Sequence, residues 1–262
     1  MDNRPIGMFD SGFGGLTVLR ALIDVAPKEN IIYVGDTARY PYGSKPLEEV
    51  RSYSIEIATR LVSEFGVKMV VVACNTASSV VLDTLSSTLE VPVIGVIEPG
   101  VRAALIATST DRVGVIGTVG TISSGSYQRA FVDYNIKLTC AACPGFVEFV
   151  ERGETTGDEV HVLAERLLQP IIEADVDTLL LGCTHYPFLA RTISDVLGRE
   201  VTLVSSADET AFQIARELEN LNLDNQAQDG GKVNFYSSAS PEYFAEIGQR
   251  LLGFPIDDVI AW

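Results

Sequence analysis

Met69-Val70-Val71-Val72-Ala73-Cys74-Asn75-Thr76 is a short apolar run that stops at a thiol, and Thr178-Leu179-Leu180-Leu181-Gly182-Cys183-Thr184-His185 repeats the pattern later in the chain. Neither run alternates apolar with polar residues, so neither has a face suited to water. Strands of that kind belong in a sheet covered on both sides, as parallel sheets are. In each, the run gives way to a small residue, a cysteine and two polar residues. A matched pair of this sort points to internal two-fold pseudo-symmetry, with two α/β lobes and a cleft between them.

Working outward, the same reading gives strands at Ile6–Phe9, Ile31–Val34, Val93–Val96, Val113–Ile116, Lys137–Ala141, Thr202–Val204 and Val233–Tyr236. Helical patterns lie between them, among them Leu16–Val25, Leu47–Phe65, Asp158–Glu173 and Asp208–Asn220. Alternating strands and helices predict an α/β fold of mainly parallel sheets with right-handed crossovers. Lobe boundaries are expected near Glu98-Pro99-Gly100 and near Ser205–Asp208.

The chain has 262 residues, 47% of them hydrophobic, with 11 Phe and 9 Tyr, which is enough to bury one large core or two modest ones. A net charge of −16 argues against nucleic acid or an anionic membrane as a partner. Met1-Asp2-Asn3-Arg4-Pro5 lacks the basic segment and apolar stretch of a signal peptide, and the apolar runs are too short to span a bilayer. Four cysteines are too few for a disulfide framework, so reduced thiols in the cytoplasm are expected.

Ligands of parallel α/β sheets bind beyond the carboxyl ends of the strands. Those positions carry Asp10-Ser11-Gly12, Gly35-Asp36-Thr37 leading to Pro41-Tyr42-Gly43-Ser44, Cys74-Asn75-Thr76, Gly117-Thr118 and Gly182-Cys183-Thr184-His185. Small, polar and thiol residues thus gather at one edge. Inverting a carbon centre adjacent to a carboxylate requires two acid/base groups in opposite protonation states on opposite faces, and no cofactor. A thiol, with an ordinary pKa of about 8.5, suits that task. Its ionised fraction rises beside a cation or a helix N-terminus, and both cysteines are expected where a strand feeds a helix.

Each candidate has a plainer reading. A cysteine at a strand end usually packs as a small hydrophobe; two in matching polar contexts favour chemistry. Asp10 is suited either to take the Cys74 proton or to cap the following helix. His185 is placed to assist Cys183, whereas His161 falls in a predicted helix and reads as a surface residue. Ser11, Asn75, Thr76 and Thr184 are candidates for binding a carboxylate together with backbone N–H groups, and Tyr42-Gly43-Ser44 for a second one. Any single Ser or Thr among them reads equally as an N-cap. Cys140-Ala141-Ala142-Cys143 has no second pair or downstream histidine pair, so it reads as neither a redox nor a metal site. Gly12-Phe13-Gly14-Gly15 departs from the dinucleotide-binding spacing and is expected to admit a small substrate.

Five segments taken together resemble the motifs of the bacterial glutamate racemases, within the aspartate/glutamate racemase superfamily. They are Ile6–Leu16, Tyr33–Thr37, Pro41–Gly43, Ala73–Ala77 and Gly182–Pro187, and the resemblance runs in order from about residue 5 to residue 206. It implies exchange of a proton at the α-carbon of glutamate, giving D-glutamate for peptidoglycan, with no cofactor or metal. Cys74 and Cys183 become the acid/base pair, Asp10 and His185 their helpers, and Glu151 an assistant to Cys183. Substrate binding falls to Ser11, Tyr42, Gly43, Ser44, Asn75, Thr76 and Thr184, with Thr118 and Thr121 as further contacts. The resemblance also implies that the C-terminal segment returns to the first lobe. That lobe then comprises residues 1–97 and 208–262, against 98–207 for the second, and a homodimer is implied. One departure is Phe146-Val147-Glu148-Phe149-Val150-Glu151, which has Glu148-Phe149 where Pro-Leu is commoner. Three other readings remain: an aspartate racemase, a hydrolase using only Cys183 and His185, and a non-catalytic binding protein.

Overall fold

The computed structural model describes residues 2–226, 230–256 and 258–262. Among the described residues ten strands occur in chain order: β1 (Ile6–Asp10), β2 (Ile31–Gly35), β3 (Met69–Val72), β4 (Val93–Gly95), β5 (Arg112–Gly117), β6 (Lys137–Ala142), β7 (Thr178–Gly182), β8 (Thr202–Ser205), β9 (Val233–Ser237) and β10 (Val259–Ala261). They form two sheets, ordered β10-β9-β2-β1-β3-β4 and β6-β5-β7-β8, and every pairing is parallel. The nine expected strands are all present, within a residue or two at their ends. The short β10, with two of its three residues exposed, has too little apolar pattern to be read from sequence.

The expected symmetry is visible in the strand order. Each sheet starts in its middle, adds its second strand on one side, then crosses back and adds its third and fourth on the other. Such a reversal opens a crevice at the carboxyl end of the first strand. Asp10 closes β1 at one crevice and Thr118 follows β5 at the other; Cys74 and Cys183 follow the third strand of their respective sheets. β9 and β10 extend the first sheet beyond β2, which places these C-terminal strands in the sheet of β1.

The apolar runs are covered on both faces, as their lack of alternation requires. Ile6 and Met8 of β1 face a core shared with Leu179 and Leu181 of β7, whereas Phe9 packs with Val70 and Val72 against the helix Leu47–Phe65. Val113, Val115 and Leu180 pack on the helix Ile97–Ala107. Among the described residues no helix is long and apolar enough to cross a membrane.

Candidate active site

A cavity of about 80 Å³ opens between the carboxyl edges of the two sheets. A water-sized probe needs about 10–15 Å³, so the space suits a small molecule and not a nucleotide. Cys74 and Cys183 both line it. So do Asp10, Ser11, Tyr42, Gly43, Ser44, Asn75, Thr76, Thr118, Thr184 and His185. Residues separated by most of the chain are therefore brought together by the topology alone.

On the first side, Cys74 is in extended conformation and the helix Asn75–Thr88 starts at the next residue. Its thiol donates to Ser11 Oγ at 3.8 Å, and the N–H of Ala77 in the first helical turn also points at the sulfur. Burial, reinforced by the charge of Asp10, nevertheless pushes Cys74 up to about 12. Asp10 is itself 1% exposed, and burial raises its carboxyl above the ordinary range. Its Oδ2 accepts the N–H of Gly12 at 2.9 Å, while Oδ1 is buried without a hydrogen-bond partner. Asp10 thus braces the turn at Gly12 and lies beside the Cys74 thiol, but it does not cap the helix Leu16–Val25, whose N-cap position, Gly15, has no side-chain cap bond. Cys74 holds its proton at neutral pH.

The second side differs from expectation. Cys183 does not feed an α-helix directly. Thr184 and His185 form a turn, a 3-10 segment containing Pro187 runs over Tyr186–Leu189, and the helix Ala190–Leu197 begins only then. The turn folds His185 back so that Nδ1 lies 3.8 Å from Cys183 Sγ and Nε2 lies 3.2 Å from Glu151 Oε1. Burial disfavours the imidazolium, but its bonds to Cys183 and Glu151 prevail and push His185 up to about 10. A cation therefore sits against the second sulfur at neutral pH. Glu151 does not line the cavity but is bonded to His185, which does.

The remaining candidates divide. Thr76, Thr118 and Thr121 form a ring of hydroxyls at 2.9, 3.2 and 3.0 Å that ties the Asn75 helix to the loop after β5. Thr121 is fully buried behind the cavity wall, and Thr118 caps the helix Val119–Ser123 by accepting the N–H of Thr121. The Tyr42 hydroxyl is turned away from the cavity and donates to Asp36, which leaves the main chain of the 3-10 turn Tyr42–Ser44 as the binding surface. Asn75 donates through Nδ2 to Tyr127 at 2.9 Å, and its Oδ1 is a buried acceptor without a partner.

The glycine loop serves another purpose than expected. Gly12 and Gly14 stand outside the cavity wall; a Cβ on Gly14 would lie 2.3 Å from Thr184 Oγ1 and 2.4 Å from His185 Nδ1. Gly14 thus admits the opposite half of the protein, and Gly12 admits the ring of Tyr40 from its own half. His161 is on the surface, paired with Glu165, and lies outside the site. Cys140 and Cys143 are free thiols pushed by burial up to about 11 and 12. Among the described residues no three His, Cys, Asp or Glu side chains are grouped to hold a metal ion.

Sequence reasoning missed Tyr40 and one entire wall, formed by Cys143, Pro144, Gly145, Val147, Glu148 and Tyr186. Most of that wall follows β6. The rule that led to the other strand ends would have found it had it been applied there. Glu148, singled out only as a departure from pattern, lines the cavity.

The sequence pattern of the Asp/Glu/hydantoin racemases matches residues 9–214. The glutamate racemase of Acidothermus cellulolyticus is 50% identical over 99% of both chains. Among solved structures, an isoform of glutamate racemase from Bacillus anthracis superposes with a TM-score of 0.94 at 42% identity, covering 100% of this chain and 98% of that one. The glutamate racemase of Francisella tularensis in complex with D-glutamate superposes with a TM-score of 0.93 at 33% identity, with the same coverage. The aspartate racemase of Picrophilus torridus, at 16% identity and a TM-score of 0.57 over 82% of this chain and 94% of that one, shares the fold. With two thiols at equivalent strand ends and full-length relatives of this kind, the chain belongs to the Asp/Glu/hydantoin racemase family.

Proposed function

We propose that this chain interconverts L- and D-glutamate by two-base proton transfer, providing D-glutamate for peptidoglycan. The observation that carries the reading is the cavity wall itself: two thiols, each with its own acid/base helper, entering from two different sheets. The names of the full-length relatives supply the substrate.

Cys183, beside the imidazolium of His185, takes the α-proton from one face. Cys74, neutral at working pH, gives its proton to the other face. One C–H bond breaks and one forms, so the product leaves with inverted configuration and the two thiols have exchanged protonation states. The reverse reaction, or proton relay through Asp10 and His185, restores them. Ser11, Asn75, Thr76, Thr118 and Thr184, with the main chain of Tyr42, Gly43 and Ser44, hold the two carboxylates through neutral donors. Thr121 supports Thr76 and Thr118, and Glu151 supports His185. The lobes of this reading are residues 1–97 with 208–262, and 98–207. The enzyme is read as a cytoplasmic homodimer.

Incubating the protein with L-glutamate in deuterated water, without cofactor, is expected to give loss of optical rotation together with deuterium at the α-carbon. Aspartate run in parallel separates the two amino acids. Absence of α-deuteration with either would refute a racemase, as a hydrolase or a binding protein predicts.

A further inference from the structure

Tyr40 belongs to the first half but lies beside acid/base groups of the second, and no role above uses it. It follows β2 and lines the cavity. Its ring is clamped. A Cβ on Gly12 would lie 2.9 Å from Tyr40 Cδ2, and Phe13 meets the ring edge-on at 6.2 Å between centroids. A ring so held cannot swing away to water, and its hydroxyl is buried with no hydrogen bond of ordinary geometry, although Glu151 lies near enough to act on it as an acceptor. A buried donor left unpaired is costly and calls for an explanation. The group it lies against is Glu151, with Glu148 and Cys183 further off; burial and those negative charges raise the phenol well above its ordinary value, so it stays a donor.

Glu151 has lone pairs to accept from such a donor. One carboxylate oxygen holds His185 Nε2, and its main-chain carbonyl accepts from Arg250 of the helix Pro241–Leu252. Hydrogen bonds of an active site are commonly long in the free enzyme and tighten when substrate binds.

We propose that Tyr40 is a positioning residue whose hydroxyl closes onto Glu151 when the cavity is occupied, so that a side chain of the Cys74 half orients the carboxylate steering His185 and Cys183. This rests on the two-thiol reading. It adds a coupling between the halves: the second acid/base unit is complete only when the first half docks on it.

The test is a double-mutant cycle of Tyr40→Phe and Glu151→Gln, read as kcat and KM in both directions. Thermal unfolding checks each variant for folding. Tyr40→Phe removes one oxygen and is expected to lower kcat about ten- to a hundredfold, the size of one hydrogen bond to a charged group, with KM little changed. In the Glu151→Gln background the same substitution is expected to have almost no further effect. A shift of the His185 Nε2 proton resonance in ligand-bound Tyr40→Phe is the readout that does not depend on turnover. An equal loss in both backgrounds, a rise in KM alone, or an unchanged kcat would each overturn the proposal. A parent protein inert toward glutamate and aspartate would instead refute the functional reading, with the resonance still deciding the Tyr40–Glu151 bond in ligand-bound protein.

Discussion

Cys74 and Cys183 occupy the same place in two sheets of the same strand order, yet their surroundings are opposite in kind. Around Cys74 the neighbours are a buried carboxyl and a serine hydroxyl, and the thiol is pushed up to about 12. Around Cys183 the neighbour is an imidazole pushed up to about 10 and anchored by Glu151. One half stores a proton on sulfur, and the other sets a cation against sulfur. In the proposed reaction the repeated scaffold supplies two positions facing one cavity, and the unlike neighbours, a buried carboxyl and an imidazolium, supply the asymmetry that inversion requires. Symmetry of the fold and asymmetry of the electrostatics are both needed.

The most direct way to break this comparison is to remove each sulfur in turn. Cys74→Ala and Cys183→Ala are each expected to reduce racemisation by about 10³-fold or more, since general acid/base groups commonly contribute about 10²–10⁴. Equal retention of activity in either variant, measured by polarimetry, would show that one thiol suffices. Next come the helpers. Asp10→Asn and His185→Asn keep both sulfurs and lose only their tuning, so roughly 10- to 100-fold losses in kcat/KM are expected. A loss confined to one of the two variants would mean that only one half is tuned.

The interlock of the halves is tested by Gly14→Ala. Its Cβ would fall 2.3 Å from Thr184 Oγ1, so the two halves must part or the turn must move. Overpacking of this kind costs about 1–3 kcal/mol, visible in thermal unfolding, and activity should fall with it. The pH dependence sharpens the contrast between the halves. His185 has a raised pKa in the folded state, so its contribution to stability is fully present below its ordinary value of about 6.5. That contribution is lost as pH rises through about 10. The stability gap between the parent and His185→Asn is therefore expected to narrow between neutral pH and pH 10, and an unchanging gap would argue against the imidazolium. The smallest effect is expected from a metal chelator, which should leave activity unchanged in a mechanism built on two thiols.

Much of this was legible in the chain before any coordinates. Continuous Val and Leu runs announced strands buried on both faces, because a run without alternation has no side to offer to water. The strand-end rule then led to Asp10, Cys74, Thr118 and Cys183 at one edge. Other features were not legible. That the Tyr42 hydroxyl turns to Asp36 depends on where Asp36 finds itself once β2 is paired, and local spacing holds no record of it. The role of Gly14 depends on His185, which lies in the other half of the protein. The wall from Cys143 to Glu148 has small, apolar and acidic residues with no shared pattern, and becomes a wall only because β6 lies beside β5.

By itself, then, the sequence determined the class of fold and the edge at which small, polar and thiol residues gather, the two proposed acid/base sulfurs among them, since hydrophobic periodicity and strand-end residues are local properties. Only the tertiary structure decided that Cys74 keeps its proton and that an imidazolium stands beside Cys183, through burial and the field of neighbours distant in the chain. It also decided which polar groups face the cavity and which are consumed holding it together. Ionisation depends on everything within a few ångströms in space, and adjacency along a chain does not report it.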